Sequence, residues 1–193
     1  MPLDYIRDDF NLTGLQNIVP HFLQALDVIQ DYEPSTDSES SCDERSLQSS
    51  AVLLYYLIHQ RFILSKQGLP MMAEKYKHGD FGVCPRYFCA GSRVLPIGLS
   101  DLPGKQSVCL FCPNCVDVYH PADPIYRKID GVGFGRTFCH LLLKVMPEIF
   151  IQPSMRTIYE PRIFGFKIHS SSSNAPSMHS IREEQDFYSV NNQ

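Results

Sequence analysis

Two pairs of closely spaced cysteines constrain this chain more than any other feature. Cys84 and Cys89 enclose Pro-Arg-Tyr-Phe, and Cys112 and Cys115 enclose Pro-Asn, with 22 residues between the two pairs. A proline follows the first cysteine of each pair, and its restricted φ favours a turn that points the second sulfur back toward the first. Zinc is held by four such thiolates at tetrahedral corners. The spacing therefore predicts one structural Zn²⁺ ion per chain.

Other ligand sets stay open on the sequence alone. Cys109 forms a second two-residue-spaced pair with Cys112, and His120 and His140 are further candidates; reduced thiols without metal are the remaining alternative. The proline-bearing pair makes the better turn, which leaves Cys109 as a free buried thiol. The total of seven cysteines fits a closed disulfide framework poorly. Because four thiolates leave no coordination position open, the ion is expected to support folding and to activate no water.

The first 80 residues predict helices. Helical patterns cover residues 4–10, 20–30, 47–66 and 69–78, and Gly68 supplies a stop between the last two. The two long helices are expected to form a hairpin with short connections. The buried stripe of the third helix is predicted to comprise Ala51, Leu54, Tyr55, Ile58 and Phe62.

Residues 31–50 are polar, acidic and serine-rich, and they contain too little apolar surface to offset the entropy of ordering. We expect a loop there. Ser40 precedes Asp43 by three residues and Ser41 precedes Glu44 by three, so an acidophilic kinase could phosphorylate both serines. A solvated acidic loop is the simpler interpretation.

The remaining sequence predicts an α+β protein with a small sheet beside the helices. Short segments punctuated by Pro and Gly follow Phe81 and indicate short strands, and a helix is expected over residues 137–145. The predicted organisation is a helical domain over 1–80, a zinc-ribbon domain over 81–148, a C-terminal segment over 149–169 and a disordered tail over 170–193.

Charge and hydropathy exclude several classes of function. The net charge is −4, and the segment from 90 to 117 contains only Arg93 and Lys105 as basic residues, so direct nucleic-acid binding is not expected. No apolar stretch approaches the roughly 20 residues that span a bilayer. The acidic N-terminus also differs from a signal peptide. We expect an intracellular protein that contacts no membrane.

Two short motifs imitate enzymes. Asp80-Phe81-Gly82 matches the magnesium-binding triplet of protein kinases, but the other kinase motifs are missing and 193 residues cannot hold both kinase lobes. The glycines of 131–135 imitate a phosphate-binding loop, but no Lys-Ser/Thr follows them. We therefore predict that the chain catalyses no reaction.

Five longer motifs resemble the regulatory beta subunit family of casein kinase II. They extend from about residue 4 to residue 169, and both cysteine turns and their separation also agree with the family, which favours Cys115 over Cys109 as a ligand. The motifs are DYI at 4–6 with FNLTGL at 10–15, GDFGVCPR at 79–86, LPIGLSDLPG at 95–104, CPNCVDVY at 112–119 and FGFKIH at 164–169.

The resemblance implies a non-catalytic subunit that dimerises through the zinc ribbon and forms the centre of an alpha2-beta2 heterotetramer. It implies a catalytic (alpha) kinase subunit as partner, which is stabilised and redirected among substrates, and a location in both cytoplasm and nucleus. The expected docking segment is residues 162–169. The residues that match the family's contacts are Arg162, Ile163, Phe164, Phe166, Lys167 and His169.

The sequence departs from the family pattern in places. We expect the serine-bearing N-terminal extension to be missing, the acidic loop is less densely acidic, and the segment 149–159 lacks the usual proline-rich pattern, so partner affinity is expected to differ. Two alternative functions are a zinc ribbon that binds nucleic acid and a diverged ribbon that binds other proteins without a kinase partner.

Overall fold

The computed structural model describes most of the chain, in two compact units formed by Met1–Arg156 and Thr157–Gln193. The predicted phosphorylation sites Ser40 and Ser41 lie outside the described residues. Within the part that is described, no helix combines the length and the apolar character needed to cross a bilayer. The described residues are 1–32, 43–150 and 162–169.

The elements of the first unit confirm the predicted α+β class. A three-stranded antiparallel sheet, in which the strands are neighbours in chain order, follows five of the helices along the chain, and the sixth helix comes after it. The helices are α1 (Leu3–Arg7), α2 (Asp9–Leu12), α3 (Phe22–Ile29), α4 (Glu44–Ile63), α5 (Gly68–His78) and α6 (Phe138–Val145); the strands are β1 (Leu95–Ile97), β2 (Cys109–Cys112) and β3 (Asp117–Tyr119).

Helix α4 is shared by two hydrophobic cores. Its residues up to Ile58 pack with α1, α2 and α3, and Leu54 and Ile58 in this part are both fully buried. Its C-terminal end packs with α5, α6 and the sheet around Phe138 and Leu142. Because both cores use one rigid helix, the N-terminal helices and the sheet are held by the same element.

Three local predictions about the helices were wrong. Helix α4 begins at Glu44, because the Asp43 carboxylate accepts the Arg45 N–H at 3.4 Å and caps the helix, so residues 44–50 are helical and not loop. The predicted helix 4–10 is broken at Asp8, whose carboxylate caps α2 through the Phe10 N–H at 3.0 Å. Tyr55 is 40% exposed, since it lies on the flank of the buried stripe.

The predicted hairpin of α4 and α5 is confirmed. Gly68 is the first residue of α5 and not the predicted stop of α4, which ends at Ile63. A side chain at Gly68 would overlap the backbone of Phe62, so glycine allows the two helices to approach closely. Helix α5 ends at Gly79, which has a φ of 83° and donates its N–H to the carbonyl groups of Lys75 and Tyr76. The hairpin thus delivers the chain directly to the first cysteine turn.

The glycine-rich segment after β3 joins the sheet to α4 and holds no phosphate-binding loop. Gly131–Gly133 form a buried 3-10 turn, and an added Cβ at Gly98 would overlap the carbonyl of Gly131. His59 donates from Nδ1 to the carbonyl oxygen of Gly133 at 2.7 Å. Burial lowers the pKa of His59, which favours the neutral ring that makes this single bond.

Replacing Leu142 with alanine tests whether the α6 core holds the first unit together. We expect Leu142→Ala to lower the free energy of unfolding by about 2–5 kcal/mol, because the site is completely buried and a cavity remains. Val145→Ala on the same helix is the control, since Val145 is 54% exposed and its loss is expected to cost less than about 0.5 kcal/mol. Guanidinium unfolding followed by circular dichroism measures both, and equal losses would contradict the packing described.

Candidate metal centre

The four predicted ligands come from two turns that the sheet brings together. Cys84 lies next to an isolated bridge between Val83 and Arg93, and Cys89 ends a 3-10 turn, Tyr87–Cys89. Cys112 is the last residue of β2, and Cys115 lies in the turn that leads to β3. The register that pairs Cys112 with Asp117 closes this second turn tightly.

The sulfur atoms of the four cysteines form one cluster. All four lie within 4.8 Å of one another; the Sγ atoms of Cys84 and Cys115 are 3.8 Å apart, and those of Cys89 and Cys112 are 4.0 Å apart. An ion with bonds of roughly 2.3 Å to four sulfurs at tetrahedral corners needs sulfur atoms about 3.8 Å apart. The cluster therefore fits a tetrahedral metal ion.

Burial makes a cation necessary if the thiols are to act as ligands. Cys84, Cys89 and Cys112 are at most 5% exposed, whereas Cys115 is partly exposed. Burial raises the pKa of Cys89 to about 11 and raises the pKa of Cys112 further. Although burial also acts on Cys115, hydrogen bonds from Tyr119 and Cys112 lower its pKa on balance. Burial thus disfavours thiolates at Cys89 and Cys112, and a bound positive charge would stabilise them.

Ser92 and Asn114 connect the two turns, and the sequence analysis missed both. The Ser92 hydroxyl donates to the carbonyl oxygen of Cys89 at 2.6 Å and accepts from the Asn114 side-chain amide at 3.2 Å. The Cys84 N–H donates to the Ser92 carbonyl oxygen at 2.7 Å. Asn114 was visible inside the second cysteine pair, but Ser92 is brought to the site only by the fold.

Two further contacts surround the sulfur atoms. The Tyr119 hydroxyl lies 3.3 Å from the Sγ of Cys115, and the Arg86 backbone N–H donates to the Sγ of Cys84 at 3.4 Å. Hydrogen bonds to ligand atoms fix their orientation and stabilise the negative charge of a thiolate. These partners therefore support the same four-thiol assignment.

The alternative ligands lie outside the cluster. Cys109 is buried and its Sγ is 3.7 Å from Nδ1 of His120, which gives a separate pair. His140 packs its ring against Phe111 at a centroid distance of 5.7 Å. Among the described residues, the cluster contains only the four cysteines of the two proline-bearing turns.

The predicted docking segment forms a hairpin in the second unit. Its strands are β4 (Arg162–Ile163) and β5 (Phe166–Lys167), joined by Phe164 and Gly165, which both have positive φ. Positive φ at both central residues defines the type I′ turn, whose twist matches that of paired strands. His169 follows β5 within the described residues.

A closed four-thiol cluster between two turns, beside a small antiparallel sheet, defines a protein with a structural metal ribbon. The family model for the casein kinase II regulatory subunit matches residues 1–167. The chain is 48% identical over 181 residues to casein kinase II subunit beta-2 of Schizosaccharomyces pombe, covering 93% of this chain and 71% of that protein. It is 41% identical over 227 residues to casein kinase II subunit beta of Candida albicans, covering 97% and 77%.

These matches identify the family that the motifs resembled. The chain belongs to the casein kinase II regulatory subunit family. It is therefore a regulatory and not a catalytic subunit, which confirms the prediction that it is no enzyme. The kinase-like triplet at Asp80 belongs to the turn that follows α5.

Serine substitutions distinguish the four predicted ligands from Cys109, the fifth cysteine nearby. We expect Cys112→Ser to remove the metal and destabilise the ribbon, because three thiolates cannot complete the tetrahedral set. Cys109→Ser should keep one metal ion per chain, since its sulfur is paired with His120. Metal content by mass spectrometry of the purified variants measures this, and loss of metal from Cys109→Ser would contradict the assignment.

Proposed function

We propose that this chain binds one structural Zn²⁺ ion, dimerises through its ribbon and binds casein kinase II catalytic (alpha) subunits in an alpha2-beta2 heterotetramer. In that assembly it stabilises the catalytic subunits and changes their choice of substrate. Membership of the regulatory subunit family supports a catalytic kinase partner. The observation that carries the docking proposal is the exposed aromatic hairpin at 162–167.

Zinc is the proposed ion because of the donor set. Four thiolates are soft ligands, which disfavour Mg²⁺ and Ca²⁺, and a tetrahedral set of sulfurs suits Zn²⁺. Cys84, Cys89, Cys112 and Cys115 would hold it. When bound, zinc supplies charge compensation and a covalent link between the two turns, and the closed set leaves no position for a substrate.

Exposed apolar side chains on the ribbon support a second copy as its partner. Val83 is 58% exposed, Tyr87 is 89% exposed and Leu102 is 62% exposed, and all three belong to the segment 81–148. Apolar and aromatic side chains are enriched at interface cores, where association removes them from water. Val83 and Tyr87 lie beside Cys84 and Cys89, so this surface depends on the order that the metal provides.

The hairpin has the properties of a docking element. Phe164 is 97% exposed, Phe166 is 79% exposed and Ile163 is 55% exposed, so three large apolar groups occupy a segment of six residues. Phe164 has a φ of 51°, which is uncommon for a residue with a bulky side chain. Such strain is found where a side chain is aimed for function. Aromatic anchors of this kind fill pockets on a partner and carry much of the binding energy.

Alanine at both phenylalanines tests the docking site. We expect Phe164→Ala with Phe166→Ala to weaken binding of a casein kinase II catalytic subunit by about 30-fold or more, which corresponds to roughly 2 kcal/mol at an interface hot spot. Biolayer interferometry with the immobilised full chain gives the dissociation constants.

Phe10→Ala is the matched control for this experiment, because Phe10 is 83% exposed and lies in the first unit. Its affinity for the catalytic subunit should equal that of the unaltered chain. Unchanged affinity in the double variant would overturn the hairpin as the docking site.

Solution mass tests the proposed assembly. The purified chain should run as a dimer with one zinc ion per chain, and addition of the catalytic subunit should give a heterotetramer in light scattering. A zinc-bearing monomer would contradict dimerisation. A zinc-bearing dimer that does not bind the catalytic subunit would support the proposed ribbon and contradict the proposed regulatory function.

We further propose that the chain acts in the cytoplasm and nucleus and that Ser40 and Ser41 are phosphorylated. Reducing compartments keep thiols available for metal, and both serines have acidic residues three positions later. Fractionation of cells tests the location, and a chain found only in membranes would refute it. Phosphopeptide mass spectrometry of the same fractions tests the modification, and a chain unmodified at both serines would refute that proposal.

A further inference from the structure

A basic pocket lies on the ribbon side of the first unit and is used by neither the metal centre nor the hairpin. It has a volume of about 240 Å³ and is lined by residues 104–107 and 127–130. Three of the lining side chains are the cations Lys105, Arg127 and Lys128, and one is the anion Asp130. The pocket therefore carries a net charge of about +2 on a chain whose total charge is −4.

The backbone holds the two walls of this pocket together. The Gly131 N–H donates to the Gln106 carbonyl oxygen at 2.9 Å, and the Val108 N–H donates to the Ile129 carbonyl oxygen at 2.9 Å. An isolated antiparallel bridge joins Ser107 to Asp130 between these bonds. Because the walls are fixed by main-chain bonds, the cationic side chains are attached to a rigid frame.

Asp130 offsets only one of the three positive charges of the pocket. Asp130 accepts the Gly104 N–H on one oxygen at 2.6 Å and the Val132 N–H on the other at 3.0 Å, so both oxygens serve the frame. Arg127 uses Nε to donate to the Pro121 carbonyl oxygen at 3.1 Å. In the described part of the chain, neither Lys105 nor Lys128 is in an ion pair.

We propose that this pocket binds the phosphate group of a phosphoserine or phosphothreonine side chain within an acidic protein segment. A doubly charged phosphate pairs well with lysine ammonium groups and with the remaining N–H donors of a fixed arginine. The choice of a phosphorylated side chain rests on the proposed function, since the product of a kinase is held next to its regulatory subunit.

Charge distribution favours a single phosphate over a nucleic-acid strand. A strand needs cations repeated along a stripe so that several phosphates are neutralised. Here the three cations are among the residues that line one cavity, and between residues 90 and 117 the only other basic residue is Arg93. The pocket thus suits one phosphate with acidic residues around it.

Fluorescence anisotropy of a labelled peptide tests the proposal on the full chain. The peptide contains one phosphoserine among glutamates, and its unphosphorylated form is the reference. We expect the phosphorylated peptide to bind about fivefold or more tightly than the reference, and Lys105→Ala with Lys128→Ala to weaken it about tenfold, because charge-assisted bonds to phosphate are lost.

Lys66→Ala with Lys144→Ala is the matched control, because it makes the same charge change at two exposed lysines outside the pocket. It should alter affinity for the phosphopeptide less than about twofold, as expected for distant exposed charges. Circular dichroism and binding of the catalytic subunit are measured on the same preparations, so failure of the pocket is distinguished from failure of the kinase partnership.

Four results would overturn the proposal. One is equal binding of the two peptides, and another is an equal loss in the pocket and control variants. A third is inorganic phosphate that binds as tightly as the phosphopeptide, which would make the peptide irrelevant. The last is binding of single-stranded DNA that requires Lys105 and Lys128, together with binding of the phosphopeptide that does not require them.

Discussion

Convergence of four buried sulfur atoms is the constraint on which the ribbon depends. Around the cluster, the buried apolar residues are Cys84, Cys89, Cys112 and Val94, and only Phe81, Leu110, Cys115 and Tyr119 are partly buried against them. A core of that size buries too little apolar surface to offset the entropy of ordering two turns. Ligation of a metal, as proposed for these four cysteines, would supply the missing free energy, and it would do so only if all four sulfurs reach one point. The hydrogen bonds of Ser92 and Asn114 hold the turns at that separation.

The rest of the first unit is organised around α4. Most of this helix, up to Ile58, packs on the N-terminal helices, and its end at Phe62 and Ile63 packs on the sheet and α6. The glycine turn at 131–133 lies beside α4. There the Nδ1 atom of His59 donates a hydrogen bond to the carbonyl oxygen of Gly133. The ribbon is thereby attached to a conventional hydrophobic core, so loss of the proposed metal would affect the turns before it affects the helices.

The arrangement explains how a subunit without catalytic groups can regulate a kinase. Binding requires surfaces held in one conformation, because ordering them at the moment of association would reduce affinity. The type I′ turn presents Phe164 and Phe166 on a short hairpin. Of its two residues with positive φ, Gly165 adopts that conformation without steric strain. The thiol cluster does the same for the apolar side chains near Cys84 and Cys89. Each surface is rigid for a different physical reason.

The sequence by itself determined the cysteine cluster, the hairpin turn and helices α5 and α6. Cysteine spacing, the proline after each first cysteine, and Gly165 act over a few residues, where local geometry leaves few alternatives. Helices α5 and α6 were predicted within one residue because their apolar periodicity and stop signals agree. Only the tertiary structure decided that Cys109 pairs with His120, that Ser92 links the turns and that Lys105, Arg127 and Lys128 line one cavity. Those contacts join segments far apart in sequence, and no local pattern encodes the register that brings them together.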